Sequence, residues 1–413
     1  MKRALGGAVL ALMGLAGCGE DVLERMEEEA ADCPEAPALR LGEAPSAAVV
    51  LNAYYLQEEA ARDVRRGLAE SPVLEEVFAK ASALGAWAVR TNGYNDGAAQ
   101  RGDSALQVAP LEYDETAFQG LDRVLARARV YGVKLVLPLG NYWDAYGGAR
   151  RYVEWAGLPS PVQGDARFFT ERAVLEHYKA HVARVLSRVN TVDGLRYGEH
   201  PAVLGWELLN EPRGRGLDEG GLAMRAWVDE VAAVVKRHAP GHLVGTGEEG
   251  FDTSLEGYDA PFWRRVAPAL FSGGTSFRLN TASPFIDFGG VHLYPEDQGV
   301  APEDMARAGA HWLREHIQLA RESGKPLFMG EFGLRNRGAF TLEERRAHYR
   351  GWWRCAWSAG AGASAPWMFA NDARPDEWDD FTFYFRDGHP PSDGANRYAD
   401  LVIEAAARAG TRV

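Results

Sequence analysis

From about residue 46 onward, short apolar runs of strand length alternate with longer stretches whose apolar positions recur at helical spacing. The strand candidates are Ala48 to Tyr55, Ala86 to Thr91, Lys134 to Gly140, Val203 to Asn210, His242 to Gly247, Gly290 to Tyr294, Leu327 to Glu331 and Ala363 to Phe369. The helical stretches include Val73 to Leu84, Phe118 to Tyr131, Phe169 to Val189, Leu222 to His238, Pro302 to Ser323 and Leu342 to Ser358. Strands joined by helical crossovers run parallel. Eight such units with no break in composition predict an α/β fold, a single (β/α)8 TIM barrel over residues 46–413, with loop insertions at the C-terminal face.

The first 17 residues do not belong to that pattern. Lys2 and Arg3 precede an apolar run to Leu15 that is too short to span a membrane and suits the core of a signal peptide. The run ends in Leu15-Ala16-Gly17-Cys18, which resembles the bacterial lipobox. That resemblance implies cleavage before Cys18, acylation of this cysteine, and export to the cell envelope with anchoring through the N-terminal lipid alone. Gly19 in place of aspartate leans towards the outer membrane. An ordinary cleaved signal peptide is the alternative. Residues 18–45 are strongly acidic, with prolines towards their end, and predict a solvated tether. Cys33 lies within it and Cys355 far beyond; spacing leaves open whether they pair.

The 413-residue chain carries a net charge of −13, which argues against nucleic acid as a partner, since neutralising phosphates needs a basic surface. Three cysteines without a Cys-x-x-Cys pair suggest neither a zinc site nor a disulfide scaffold, and no metal or cofactor is expected. The chain has no His-Glu-x-x-His helix, Gly-x-Ser-x-Gly elbow or Gly-Lys-Ser/Thr loop. His311 and His316, five residues apart on a helical stretch, do not share a face and read as surface or packing residues. A monomer is the default.

In a barrel of this kind the loops after the strands converge on one mouth. Polar and aromatic residues collect at those strand ends: Arg90, Asn141-Tyr142-Trp143, Asn210-Glu211, His292 with Tyr294, Glu331 and Trp367. Glu211 and Glu331 each end an apolar run, at the fourth and seventh strands, and can face one another despite their separation in sequence. Two carboxyl groups across a cleft suit glycoside hydrolysis, retaining when about 5–5.5 Å apart and inverting when wider. Rings nearby suit the apolar faces of sugars. Tyr142, Trp143, Tyr146, Tyr152 and Trp155 lie on one loop as candidates, of which Trp143 is assigned to substrate. The long segment from Phe251 to Phe288 is expected to wall the cleft.

The stretches Trp206-Glu207-Leu208-Leu209-Asn210-Glu211-Pro212-Arg213, Val291-His292-Leu293-Tyr294-Pro295-Glu296 and Phe328-Met329-Gly330-Glu331-Phe332-Gly333 make the chain resemble glycoside hydrolase family 5. Gly140-Asn141-Tyr142-Trp143 with Gly147-Gly148, Phe168-Phe169-Thr170, and Gly247-Glu248-Glu249-Gly250-Phe251 make it most similar to the endo-β-1,4-mannanase branch. The resemblance implies retaining hydrolysis of mannan, galactomannan or glucomannan, with Glu211 as acid/base and Glu331 as nucleophile. It further implies that Arg90 and Tyr294 support Glu331, that Asn210 contacts the sugar 2-hydroxyl, that His292 orients the acid/base, and that Trp367 floors the site. One departure is Asn92, where mannanases of the family commonly carry an aromatic. It leaves mannan against glucan preference open, and sequence does not decide endo against exo action. A β-1,4-glucanase, an exo-β-mannosidase and a non-catalytic, lipid-anchored glycan-binding protein are the alternatives.

Overall fold

The computed structural model describes residues 21–97, 104–218, 220–254, 256–268, 273–371, 379–383 and 399–408. The signal segment and Cys18 lie outside the described residues. Eight parallel strands form the expected barrel: β1 (Ala48–Asn52), β2 (Ala88–Arg90), β3 (Lys134–Pro138), β4 (Val203–Glu207), β5 (Leu243–Gly245), β6 (Gly289–Leu293), β7 (Leu327–Phe332) and β8 (Ala363–Pro366). Their order is β5-β4-β3-β2-β1-β8-β7-β6. The ring closes through a parallel bridge between Gly245 and Phe288 and a hydrogen bond from Asp287 N–H to Val244 C=O at 2.7 Å.

Alternation along the strands sorts side chains between two apolar layers. Val49 and Leu51 of β1, Trp206 of β4, and Val291 and Leu293 of β6 join the layer under the helices. Ala48, Val50, Ala88, Val136, Phe288, Phe328, Ala363 and Ala365 fill the barrel's lower interior with Leu41 and Ala44. Continuing the inward face upward brings Arg90 two residues after Ala88 and His292 two after Gly290. The strands therefore carry polar groups into the mouth once the apolar plug ends.

Helices cover the outside where the helical period predicts, including Pro72–Ala83, Glu115–Tyr131, Leu222–His238, Met305–Glu322 and Leu342–Ser358. Their ends follow local chemistry: Asp114 caps Glu115–Tyr131 and Gly132 ends it in the left-handed region, while Thr341 and Glu344 form a reciprocal capping box. The stretch Phe169 to Val189 is divided. A short helix, Arg167–Thr170, stops at extended Glu171, and Arg172–Leu186 follows. Helices Leu56–Arg65 and Gly148–Trp155 and a hairpin, Gln107–Ala109 with Glu112–Tyr113, are further elements at the loops.

Over its described part, the acidic segment differs from a solvated tether. Residues 21–30 are helical, and Glu27 pairs with Arg350 at 3.1 Å and Arg354 at 2.7 Å. Buried Ala30 sits so close to Gly351 that a Cβ there would lie 2.4 Å from the alanine Cβ. Cys33 and Cys355 form a disulfide with Cα atoms 5.0 Å apart. Leu41 then enters the barrel floor. Of its described acidic residues, Glu27 meets arginines of a helix over 300 residues away, while Asp21, Glu24, Glu28, Glu29, Asp32, Glu35 and Glu43 stay exposed; the segment is docked along one face rather than free. Among the described residues no helix is long and apolar enough to cross a membrane.

Candidate active site

The upper ends of β3, β4 and β5 are laced together by the backbone. Asn210 N–H donates to Gly140 C=O at 2.8 Å, Tyr142 N–H to Asn210 C=O at 2.9 Å, and Glu211 N–H to Gly247 C=O at 2.8 Å. Tyr178 Oη holds the turn from behind by donating to Leu208 C=O at 2.6 Å. Glu211 adopts a φ of +54°, an uncommon conformation for a residue with a side chain. The neighbouring loop requires glycine: a Cβ on Gly147 would meet Asp96 O at 1.7 Å, and one on Gly148 would meet Trp143 O at 1.8 Å. This close turn brings Trp143 over the mouth.

Arg90 is the hub on the nucleophile side. Its Nη1 donates to Glu331 Oε1 at 2.6 Å, its Nε to Glu207 Oε2 at 2.8 Å and its Nη2 to Asn210 Oδ1 at 2.7 Å. One guanidinium with five fixed donors can hold three acceptors in this way. Tyr294 Oη donates to Glu331 Oε2 at 2.7 Å, so both oxygens of Glu331 are engaged. Asn210 in turn donates to Asn141 Oδ1 at 3.1 Å.

On the other side, Trp143 Nε1 donates to Glu211 Oε2, and His292 Nδ1 lies 2.6 Å from Glu211 Oε1. Glu211, His292 and Glu331 each bring one atom within 4.8 Å of the others. The carboxyl groups therefore face one another at short range rather than across a wide gap. Among the described residues this trio is the one acidic and histidine group close enough to share a cation. Arg90 already places a fixed positive charge against Glu331, and His292 lies at hydrogen-bond distance from Glu211, a geometry suited to holding a proton.

Burial opposes charge on every member. Glu331 is pushed above the ordinary carboxylate range by burial, against the pull of His292, Arg90 and Tyr294. Burial also favours the neutral carboxyl of Glu211, but its bond and charge interaction with His292, the bond from Trp143 and the charge of Arg213 together bring it below that range. For His292 the order is reversed: burial disfavours its proton, while Glu331 and Glu211 draw it above the ordinary imidazole value. The opposite directions of Glu211 and His292 follow from their mutual contact, which suits the two groups to hold one proton between them. Glu249, beside them, is raised to about 7 by burial and by the Glu211 charge.

A cleft of about 630 Å³ opens above these groups. Arg90, Trp143, Asn210, Glu211, Tyr294, Glu331 and Trp367 all line it, whereas His292 lies beneath, orienting Glu211. Trp367 stacks on Tyr54 with planes 6° apart and centroids 5.2 Å apart, and its Nε1 donates to Asp379 Oδ2 at 2.7 Å. Asn92, Tyr94, Tyr146 and Phe381 also line the cleft. Of the five loop aromatics, Trp143 and Tyr146 reach it; Tyr142 and Tyr152 are buried in the core, and Trp155 packs on His177.

The segment from Phe251 to Phe288 does not form the expected wall: among the described residues none of it lines the cleft. Trp263 donates instead to Glu315 at 2.6 Å and Phe277 packs on buried His316, fixing the segment to helix Met305–Glu322. His316 is a packing residue, bonded to Trp312 and Gly250 carbonyls, and His311 stacks on Phe262.

The family model described as GH family 5 beta-mannosidase-like matches residues 75–393. The chain belongs to glycoside hydrolase family 5. Mannan endo-1,4-beta-mannosidase 1 of Oryza sativa subsp. japonica is 38% identical over 289 residues, 68% of this chain and 63% of the relative. Mannan endo-1,4-beta-mannosidase 5 of Solanum lycopersicum is 35% identical over 290 residues, 69% of this chain and 66% of the relative. The chain spans 57–63% of the length of the rice relatives it matches. Among solved structures, the endo-beta-1,4-mannanase from Thermotoga petrophila superposes with a TM-score of 0.78 at 28% identity, over 90% of this chain and 79% of that one. Family 5 membership agrees with the barrel and with the carboxyl pair at the ends of β4 and β7.

Glu207, Tyr54 and Asp379 also belong to the site. Glu207, buried and bonded to Arg90, looks from sequence like one more position of an apolar strand, and only its charge signals a partner. Tyr54 stands two residues after the end of β1, so the strand-end rule that selects Arg90 also reaches it. Asp379 has no motif; its contact with Trp367 is visible only in three dimensions.

Proposed function

We propose that the protein is a retaining, endo-acting β-1,4-mannanase, exported and held to the outer membrane by a lipid on Cys18. The observation that carries the catalytic reading is the facing pair Glu211 and Glu331, within 4.8 Å through His292 and each served by its own donors. Oxygens that approach this closely suit direct attack by the second carboxylate rather than the wider pair that leaves room for a water across the ring.

In the first step Glu331 attacks the anomeric carbon, the glycosidic C–O bond breaks, and the Glu211–His292 pair gives its proton through Glu211 to the departing sugar oxygen. The product is a glycosyl ester on Glu331 and a shortened chain. In the second step Glu211, now ionised, takes a proton from water as the oxygen bonds to the anomeric carbon and the ester bond breaks. Glu331 leaves as a carboxylate, stabilised by Arg90 and Tyr294. Asn210, fixed between Arg90 and Asn141, offers its amide to a sugar hydroxyl, and Trp367 offers a ring face to the sugar.

Mannan as substrate is supported by the mannan endo-1,4-beta-mannosidases among the relatives and by the motif set around Asn141, Phe168 and Glu249. The lost ring at Asn92 is offset by Tyr54, whose carbonyl accepts from Asn92 N–H at 3.3 Å and whose ring extends the Trp367 platform. The test incubates the protein with mannan, galactomannan, glucomannan and soluble cellulose and follows new reducing ends and product lengths. A spread of internal products from the mannans is expected. Release from the glucan alone overturns the substrate, and single mannose units from the start overturn endo action. Globomycin-sensitive processing and loss of membrane association in Cys18→Ser test the anchor.

A further inference from the structure

Arg213 lines the cleft and its charge helps to hold the Glu211 carboxyl low, and its setting beside the acid/base is unusually determined. Its guanidinium carbon is 4.6 Å from the Trp143 ring centroid and 5.0 Å from that of Phe251. Both edges of the fork are used on one carboxylate: Nε donates to Glu249 Oε2 at 2.5 Å and Nη2 to Glu249 Oε1 at 2.7 Å. Glu249 is itself fixed, because its backbone carbonyl accepts from His292 N–H at 3.1 Å. Trp143, whose ring face Arg213 covers, donates its indole N–H to Glu211. The β3, β4, β5 and β6 ends thus form one chain of contacts that closes on both oxygens of Glu211.

We propose that Arg213, clamped by Glu249, is a positioning residue for the acid/base Glu211 and acts through the indole of Trp143; this rests on the hydrolytic reading above. A flat cation is suited to the task, since it stacks on an indole face while its edge is held by a bidentate carboxylate, and a lysine can do neither. The ring plane of Trp143 sets where its N–H points, and that direction selects the rotamer in which Glu211 faces the leaving oxygen. Without the clamp Trp143 gains freedom, and proton delivery loses alignment while the nucleophile side, built on Arg90 and Tyr294, is untouched.

Two glycosides separate this from a merely structural ion pair. A β-1,4-manno-oligosaccharide leaves as a sugar alkoxide and needs a proton; 2,4-dinitrophenyl β-mannobioside leaves as a stable anion and does not. In kcat/KM, which reports the step that forms the glycosyl ester, Arg213→Met is expected to lose about tenfold or more on the oligosaccharide, a part of the roughly 10²–10⁴ that general acid catalysis supplies, and under about threefold on the aryl glycoside. Arg213→Lys, which keeps the charge without the flat face, is expected to behave like Arg213→Met and serves if the methionine variant does not fold. Equal losses on both substrates, no loss on the oligosaccharide, or full rescue by lysine overturns the proposal. A wild-type protein that cleaves neither glycoside removes the hydrolytic reading itself, a result distinct from any ratio among variants.

Discussion

Replacing Arg90 by lysine keeps one positive charge under the nucleophile but removes the fork. In the native site that fork spans Glu331 at 2.6 Å, Asn210 at 2.7 Å and Glu207 at 2.8 Å. A lysine ammonium is a point charge that cannot reach all three, and the buried Glu207 competes with Glu331 for it. Losing one charge-assisted bond costs about 1.5–3 kcal/mol. Because one pKa unit corresponds to about 1.36 kcal/mol, the ionisation of Glu331 should move up by about one to two units. The direction matters: Glu331 attacks as an anion, present above its pKa, and burial already holds that pKa above the ordinary value. The acid limb of the kcat/KM profile should therefore shift to higher pH by that amount, with the activity loss largest on the acid side and shrinking towards neutral pH. Rates on a manno-oligosaccharide across about pH 4 to 8, with thermal melting to check folding, make the assay. A folded Arg90→Lys variant with an unmoved acid limb would refute the role given to Arg90.

Glu211→Ala should lower kcat about 10²–10⁴-fold on oligosaccharides, with azide restoring turnover of an activated aryl glycoside and giving a β-configured glycosyl azide; no rescue counts against Glu211 as acid/base. His292→Ala should move the alkaline limb to lower pH, because the shared proton loses its higher-affinity site, His292 being raised above the imidazole range; an unchanged limb contradicts the shared-proton pair. Tyr54→Ala should raise KM for long oligosaccharides by about two- to tenfold, from a ring contact worth about 0.5–1.5 kcal/mol, and a constant KM removes Tyr54 from the sugar platform. Cys355→Ala should lower unfolding stability by about 2–5 kcal/mol with kcat unchanged, since the bridge fastens residues 21–45 to the outer helices; an unmoved denaturation midpoint shows that the fastening is superfluous.

The barrel was legible because each strand is a short apolar run with a polar group at its upper end. Arg90, Asn210, Glu211, His292, Tyr294, Glu331 and Trp367 all stand where an inward-facing strand leaves the apolar plug. What was hidden depends on partners far away in sequence. Glu207 reads as an anomaly until Arg90 of another strand is set beside it. Residues 21–45 read as a free tether because the partners that dock them, Arg350 and Arg354 for Glu27 and Cys355 for Cys33, lie on a distant helix. The segment from Phe251 to Phe288 is long enough for a cleft wall, but Trp263, Phe277 and Tyr258 find apolar cover on helix Met305–Glu322, away from the mouth. Length identifies an insertion; only packing decides which side of the barrel it covers.

The most direct test follows the anomeric configuration of the first product. Proton NMR during cleavage of a β-1,4-manno-oligosaccharide should show the β-anomer of the new reducing end first, with the α-anomer growing in only through mutarotation. An α-anomer formed first would mean that water, rather than Glu331, attacks the anomeric carbon.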